Sequence, residues 1–278
     1  MGCCSSKLIF TNETKSLNKD SQNNITEENK NKEKNESKIE YRNKINLIYS
    51  VKSKGEYNIL GKLFVYKNKD NLELILNDKQ NELINYLELE KGDNKITLII
   101  KNKLVNLNCM FFACETLKDI TELKYLDVSE VNNFESMFDG CCLLSDIKAL
   151  ENWNVSNGNN FRYMFSNCSL LSDINALRDW NVSKGDSFSS MFSGCSSLSD
   201  ITPLENWNIT NCIYFDKMFS GCSLLSNIAP LKNWNISNGI IFSGMFSGCS
   251  SLLDKTPLEY WKALNNVLLN KMFNTMFD

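Results

Sequence analysis

The chain has no histidine among its 278 residues. Without imidazole, Ser-His-Asp and Cys-His catalysis are excluded and most zinc sites lose their usual ligand. The eleven cysteines contain no C-x-x-C pair, so their spacing offers no metal cage either. Strong net charge is also missing: 30 Lys and Arg stand against 33 Asp and Glu, a formal charge of −3. That balance excludes strong nonspecific attraction to nucleic acid. No run of about 18 apolar residues occurs, so no membrane-crossing helix is expected. No apolar segment follows the start, which argues against a secretory signal peptide. There is no glycine-rich phosphate loop and no nucleophile–base pair. Neither an enzyme nor a cofactor is expected. Proline is scarce, and its three occurrences, Pro203, Pro230 and Pro257, are 27 residues apart.

That interval governs the C-terminal three-fifths of the chain. Met-Phe pairs start at Met110, Met137, Met164, Met191, Met218, Met245 and Met272 without a slip. A fixed period of 20 to 50 residues is the signature of a solenoid or array. Aligning the units on Met reveals further columns. A Cys follows four places on (Cys114, Cys141, Cys168, Cys195, Cys222, Cys249). Leu follows at seven (Leu117 to Leu252), then Ile120, Ile147, Ile174, Ile201 and Ile228, then a second Leu. Trp153, Trp180, Trp207, Trp234 and Trp261 come next, followed by Val or Ile and by Phe134, Phe161, Phe188, Phe215 and Phe242. One unit cannot bury so many large side chains. Burial of each is worth about 1.5–3 kcal/mol, so the ordering entropy is offset only when neighbouring units cover both sides.

The Met-Phe-x-x-Cys stretch followed by Leu-x-x-Ile-x-x-Leu-x-x-Trp-x-Ile resembles the BspA-like leucine-rich repeats over residues 110–278. The upstream runs Gly61-Lys-Leu-Phe-Val, Leu72-Glu-Leu-Ile-Leu and Ile96-Thr-Leu-Ile-Ile resemble the leader of protist members. The resemblance implies a repeat solenoid, a leucine-rich-repeat-like stack of short parallel strands with turns or short helical turns, preceded by a small β-rich cap. On that basis a strand is expected near Leu198–Ile201 and its equivalents, with a second around Trp207–Ile209. A register with the main strand at Trp fits almost as well. Met-Phe-Ser-Gly-Cys is expected as a turn on the opposite side, and the prolines at a strand end or corner.

The cysteine ladder invites a disulfide reading, since adjacent coils sit about 4.8 Å apart. Equivalent side chains in a stack point the same way, however, so buried free thiols are expected. Asn154, Asn181, Asn208 and Asn235, with Asp127 ahead of them, are expected to bond backbone groups of neighbouring coils. The same asparagines are glycosylation sequons. Asp119, Asp146, Asp173, Asp200 and Asp254 form an acidic column, interrupted by Asn227, for which calcium bridging is the sharper alternative to a solvated turn. Positions 157–160, 184–187, 211–214 and 238–240, with 166–167, vary between units and are the candidate partner surface.

The start, Met1-Gly2-Cys3-Cys4-Ser5-Ser6-Lys7, fits the N-myristoylation pattern at Gly2, with Cys3 and Cys4 as S-palmitoylation sites. A single myristoyl chain binds membranes marginally, so a second acyl signal is needed for stable residence. Residues 1–44 are rich in Asn, Lys, Glu and Ser and read as a disordered tether. Residues 45–109 read as a β-rich capping region, with strands at Ile45–Tyr49, Lys62–Tyr66, Leu72–Leu76 and Lys95–Ile100 and a short helix across Asn81–Leu89. Residues 110–278 hold seven units, the last truncated.

These readings converge on a non-enzymatic protein–protein interaction module held by N-terminal lipids on the cytosolic face of a membrane, the plasma membrane being the expected one. The expected partners are a protein, through the repeat surface, and the bilayer, through acyl chains; nucleic acid and metal are not expected. The alternative is an extracellular adhesin of the BspA-like type.

Overall fold

The computed structural model describes residues 44–77, 79–261 and 269–273, all within one compact unit, Asn43–Asp278. Gly2, Cys3, Cys4 and residues 1–43 of the tether lie outside the described residues; Lys44, expected to end the tether, opens a strand.

Among the described residues seven strands precede or open the repeats: β1 (Lys44–Val51), β2 (Gly55–Asn58), β3 (Leu72–Leu76), β4 (Lys79–Asn81), β5 (Tyr86–Leu89), β6 (Gly92–Ile100) and β7 (Leu117–Asp119). Five form an antiparallel sheet in the order β4-β3-β6-β1-β7, and β2 pairs with β5. In β1 the alternation is strict: Ile45, Leu47, Tyr49 and Val51 are buried. Their partners across β6 include Leu98 and Ile96, in the register Ile45↔Leu98 and Leu47↔Ile96. A period of two with one face buried fixes this register, because a one-residue slip would turn every Ile and Leu to the solvent.

Two expectations for this region are corrected. Lys62–Tyr66 is not a strand but the start of a helix, Lys62–Asn68. Its buried residues, Phe64 and Asn68, are one turn apart, and the Asn68 side chain donates to the Phe64 carbonyl at 3.0 Å. The Asn81–Leu89 stretch is not helical; it ends β4 and forms β5, where Leu87 and Leu89 alternate inward.

The sheet joins the first unit through its backbone. β7 belongs to that unit and pairs antiparallel with β1 at Tyr49↔Leu117 and Ile48↔Asp119. Gly61 donates its amide to the Met110 carbonyl at 2.9 Å, the role that Phe111 plays toward Met137 one unit later. Only glycine fits there, since a Cβ would collide with the Cys109 carbonyl oxygen.

Each unit then repeats one hydrogen-bond row. Phe134, Ser136, Phe138 and Gly140 donate to the carbonyls of Asn160, Arg162, Met164 and Ser166 in the next unit at 2.8–2.9 Å. The same alternate residues recur, through Phe161, Tyr163, Phe165 and Asn167, to Phe215, Lys217, Phe219 and Gly221. The seventh unit still receives bonds, from Gly244 to Lys271 and from Phe246 to Met272. Left-handed residues bracket the first six Met-Phe pairs, as at Ser136 (φ 53) and Gly140 (φ 81), Tyr163 (φ 57) and Asn167 (φ 59), Lys217 (φ 55) and Gly221 (φ 77).

The expected placement of the inter-unit strand is therefore corrected. Among the described residues, the repeats pair in parallel only at single bridges, Asn106↔Asn133 through Tyr214↔Ile241, on the approach to the Phe column. Leu198–Ile201 and Trp207–Ile209 carry no such pairing; of the Leu198–Ile201 equivalents, Leu117–Asp119 in the first unit is a strand, β7, which pairs with β1 and not with another unit. The Met-Phe stretch, expected on the far side, carries the row instead. The chain leaves Leu198–Ile201 by turning: Asp200 accepts the Thr202 amide at 2.8 Å and a 3-10 turn follows at Thr202–Leu204. Equivalent 3-10 turns occur in every unit from Thr121–Tyr125 to Thr256–Leu258. Pro203, Pro230 and Pro257 sit in their first turn, where no amide donor is required.

The aromatic columns are buried and stacked. Phe138 and Phe165 lie 5.5 Å apart at 5°, Phe134 and Phe161 5.3 Å apart at 6°, and Trp153 and Trp180 6.4 Å apart at 7°. Lys255, which replaces the Ile column in the sixth full unit, is exposed, with its ammonium 3.9 Å from the Phe273 ring centroid.

Candidate interaction groove

The buried columns also bond between units. Four of the five Trp indoles donate to a carbonyl of the preceding unit: Trp153 to Leu123 at 2.9 Å, Trp180 to Leu150 at 3.0 Å, Trp207 to Leu177 and Trp234 to Leu204 at 2.9 Å; the buried Trp261 indole N–H has no partner among the described residues. The ladder thiols do the same. Cys141, Cys168, Cys195, Cys222 and Cys249 donate Sγ–H to the Phe111, Phe138, Phe165, Phe192 and Phe219 carbonyls at 3.1–3.2 Å. All described cysteines are free thiols. Burial pushes Cys195 well above the usual thiol range, Cys212 up to about 12 and Cys249 up to about 11. A thiol held neutral is a poor nucleophile, so this ladder packs and bonds rather than reacts.

The polar columns bond within their own unit. Asn154, Asn181, Asn208 and Asn235 accept the amide two residues on, at Ser156, Ser183, Thr210 and Ser237, at 3.1–3.2 Å. The expected cross-unit bonding falls to a different column. Asn157, Asn211 and Asn238 donate to the Ser129, Ser183 and Thr210 carbonyls of the preceding unit at 2.7–2.8 Å. The acidic column likewise forms local turns: Asp119, Asp146, Asp173, Asp200 and Asp254 accept amides two residues on at 2.7–2.9 Å. Among the described residues no group of three or more Cys, Asp or Glu side chains could hold a metal ion.

A groove of about 710 Å³ lies along the segment that leads into the Phe column. Its lining comes from alternate positions of five units. Glu135, Arg162, Ser189, Asp216 and Ser243 occupy one column; Asn160, Ser187, Tyr214 and Ile241 occupy another. Asp186 and Lys217 complete its charged lining. The constant Phe between these columns points inward, so the neighbours on either side are free to differ without disturbing the core.

The charged groups are held unequally. Glu135 accepts amide N–H from Asn108 and Asn160 at 3.3 Å. Asp216 accepts the Ser189 hydroxyl at 2.5 Å. The Arg162 guanidinium donates to the Tyr163 hydroxyl at 3.2 Å and lies 4.9 Å from that ring's centroid; this hydrogen bond holds its pKa above the usual value. Asp186 has no side-chain partner among the described residues, and partial burial raises its carboxyl above the usual range. No ion pair joins these groups among the described residues. Next to the groove the surface becomes apolar, with Ile240 75% exposed beside Ile241.

The variable segments expected to form the partner surface supply Asn160, Asp186, Ser187 and Tyr214. Asn157, Asn211 and Asn238 from the same segments are instead spent on backbone carbonyls. Arg162, Ser189, Asp216, Lys217 and Ser243, with Glu135, were missed. Their signal was present as variation at the second place before each Met and, for Lys217, at the place directly before it, between the constant Phe and Met columns.

These features define a class of tandem 27-residue units with a constant core and a variable outer strip. The family whose profile matches is described as Mycoplasma protein of unknown function, DUF285, over residues 105–226 and 171–278. Those two matches together span 105–278, more than half of the chain, so the chain belongs to this family. The assignment fits a BspA-like relationship loosely. Neither a curated protein nor a solved structure matches the chain.

Proposed function

We propose that this protein is a non-enzymatic protein–protein interaction module, built as a leucine-rich-repeat-like solenoid and tethered by acyl groups on Gly2, Cys3 and Cys4 to the cytosolic face of a membrane. One observation carries the binding part of this reading. An unchanging row of inter-unit backbone bonds displays, between its buried residues, side chains that differ from unit to unit. Such an arrangement supports recognition, because specificity changes with the exposed columns while the fold does not. The raised thiol pKa values support a structural use of the cysteines. The anchoring part rests on the Met-Gly-Cys-Cys-Ser-Ser-Lys start, since paired acylation supplies the two signals that stable membrane residence needs.

Metabolic labelling with myristate and palmitate analogues tests the tether. The wild type takes up both labels, Gly2→Ala loses the first, and Cys3→Ser with Cys4→Ser loses the second; equal labelling of all three would remove the tether. The extracellular adhesin reading is favoured by one observation. Asn154, Asn181, Asn208 and Asn235 are exposed, and their side-chain nitrogens make no hydrogen bond among the described residues. Glycan on these asparagines, found by mass spectrometry, would decide for that reading.

A further inference from the structure

Resting on the interaction-module reading and narrowing it, we propose that the groove takes an extended peptide segment carrying basic residues followed by apolar ones. The groove has three carboxylates, Glu135, Asp186 and Asp216, against two cations, Arg162 and Lys217. No ion pair forms among these described groups: the Arg162 guanidinium bonds Tyr163 and feels Asp216 and Glu135 only at longer range. Asp186 lines the groove between Glu135 and Asp216, exposed and without a side-chain partner among the described residues. A lysine or arginine from outside would pair with it and with Asp216, one unit further on.

The apolar half follows from the same columns. The second column reads Asn160, Ser187, Tyr214, Ile241 along the units, and the adjacent position reads Asn159, Asp186, Ile213, Ile240. Both columns are thus polar in the second and third units and aromatic or aliphatic in the fourth and fifth. Tyr214, Ile240 and Ile241 are exposed, and apolar side chains of a bound segment would cover them. Length is bounded too. Equivalent rings of successive units lie 5.0–5.8 Å apart, so five units extend over roughly 20 Å. An extended chain advancing about 3.3 Å per residue fills that distance with about six residues.

The test uses the full chain and a fluorescein-labelled probe, Lys-Gly-Lys-Gly-Leu-Gly-Leu, with a counterpart in which both lysines are glutamate. Fluorescence polarisation is expected to show saturable binding of the first peptide and none of the second. Asp186→Asn with Asp216→Asn, and separately Tyr214→Ser with Ile241→Ser, are expected to weaken binding at least tenfold with unchanged melting temperatures. Raising salt from 50 to 500 mM is expected to weaken it by a similar factor, on the order expected for a charge-assisted contact. Absence of binding, equal binding of the glutamate peptide, or indifference to the Asp substitutions overturns the proposal. A displayed random heptapeptide library separates the two levels of the argument. Enriched peptides lacking basic residues, yet lost on Tyr214→Ser with Ile241→Ser, would remove the basic-peptide proposal and leave the interaction module standing.

Discussion

Tryptophan and glycine show how much each repeat position is asked to do. The Trp column reads from sequence as apolar filling, and burial agrees, but its indole nitrogen is also an inter-unit donor, which periodicity cannot reveal. Trp207→Phe keeps the ring and loses the bond to Leu177 at 2.9 Å. The Leu177 carbonyl keeps the Trp180 amide at 3.2 Å, so loss of this second donor is expected to cost about 0.5–1.5 kcal/mol in urea unfolding. Gly185 lies under Phe188, where an added Cβ would stand 2.6 Å from the ring. Gly185→Ala is therefore expected to destabilise by about 1–3 kcal/mol through overpacking, measured by the same midpoint shift. Where Cys212 takes the glycine place in another unit, Phe188 stands 5.6 Å from Trp207, against 6.2 Å for the Phe161–Trp180 pair. The core there accommodates the larger residue by moving a ring.

Among the elements, the legible parts are those whose side chains alternate or recur. β1, β3 and β6 follow from their inward Ile and Leu residues, and the buried columns follow from the constant spacing. The inter-unit row was not legible, because its bends use Ser136, Tyr163 and Lys217 in left-handed backbone, residues that carry no glycine-like signal. The groove residues beside those bends were legible only as variation between the constant Phe and Met columns. The Asx-turns set the acid response of the units. Hydrogen bonds from Ser129 and Thr202 hold the Asp127 and Asp200 carboxyls below the usual range. A folded-state pKa below the unfolded value gives stability that is present above about pH 4 and lost as pH falls through the folded value. Melting temperature is thus expected to be level from neutral pH to about 5 and to drop below about 4, with Asp127→Asn and Asp200→Asn together flattening the drop. The thiols supply another check. Maleimide with peptide mass spectrometry on native protein is expected to label the partly exposed Cys109 and Cys142 before Cys141, Cys168 and Cys195, which should react only on unfolding.

Across the whole molecule, one unit is interchangeable with the next in its bonding, whereas a fraction of a unit is not. Removing residues 164–190, one complete period, joins Tyr163 to Met191 and preserves every column. That variant is expected to unfold in a single transition, at a somewhat lower temperature for want of one set of neighbour contacts. Removing residues 164–176 puts Trp and Phe columns out of register and is expected to abolish cooperative melting followed by circular dichroism.

Native-state hydrogen exchange on the amides of Phe161, Tyr163, Phe165 and Asn167, and of their equivalents from Phe134 to Gly221, tests the linkage on which everything else rests. These amides donate to the next unit and to nothing else in their own. They are expected to be protected together, across all units, to an opening free energy close to that of global unfolding. Exchange as fast as in the exposed turn residues, or protection that breaks off from one unit to the next, would contradict it.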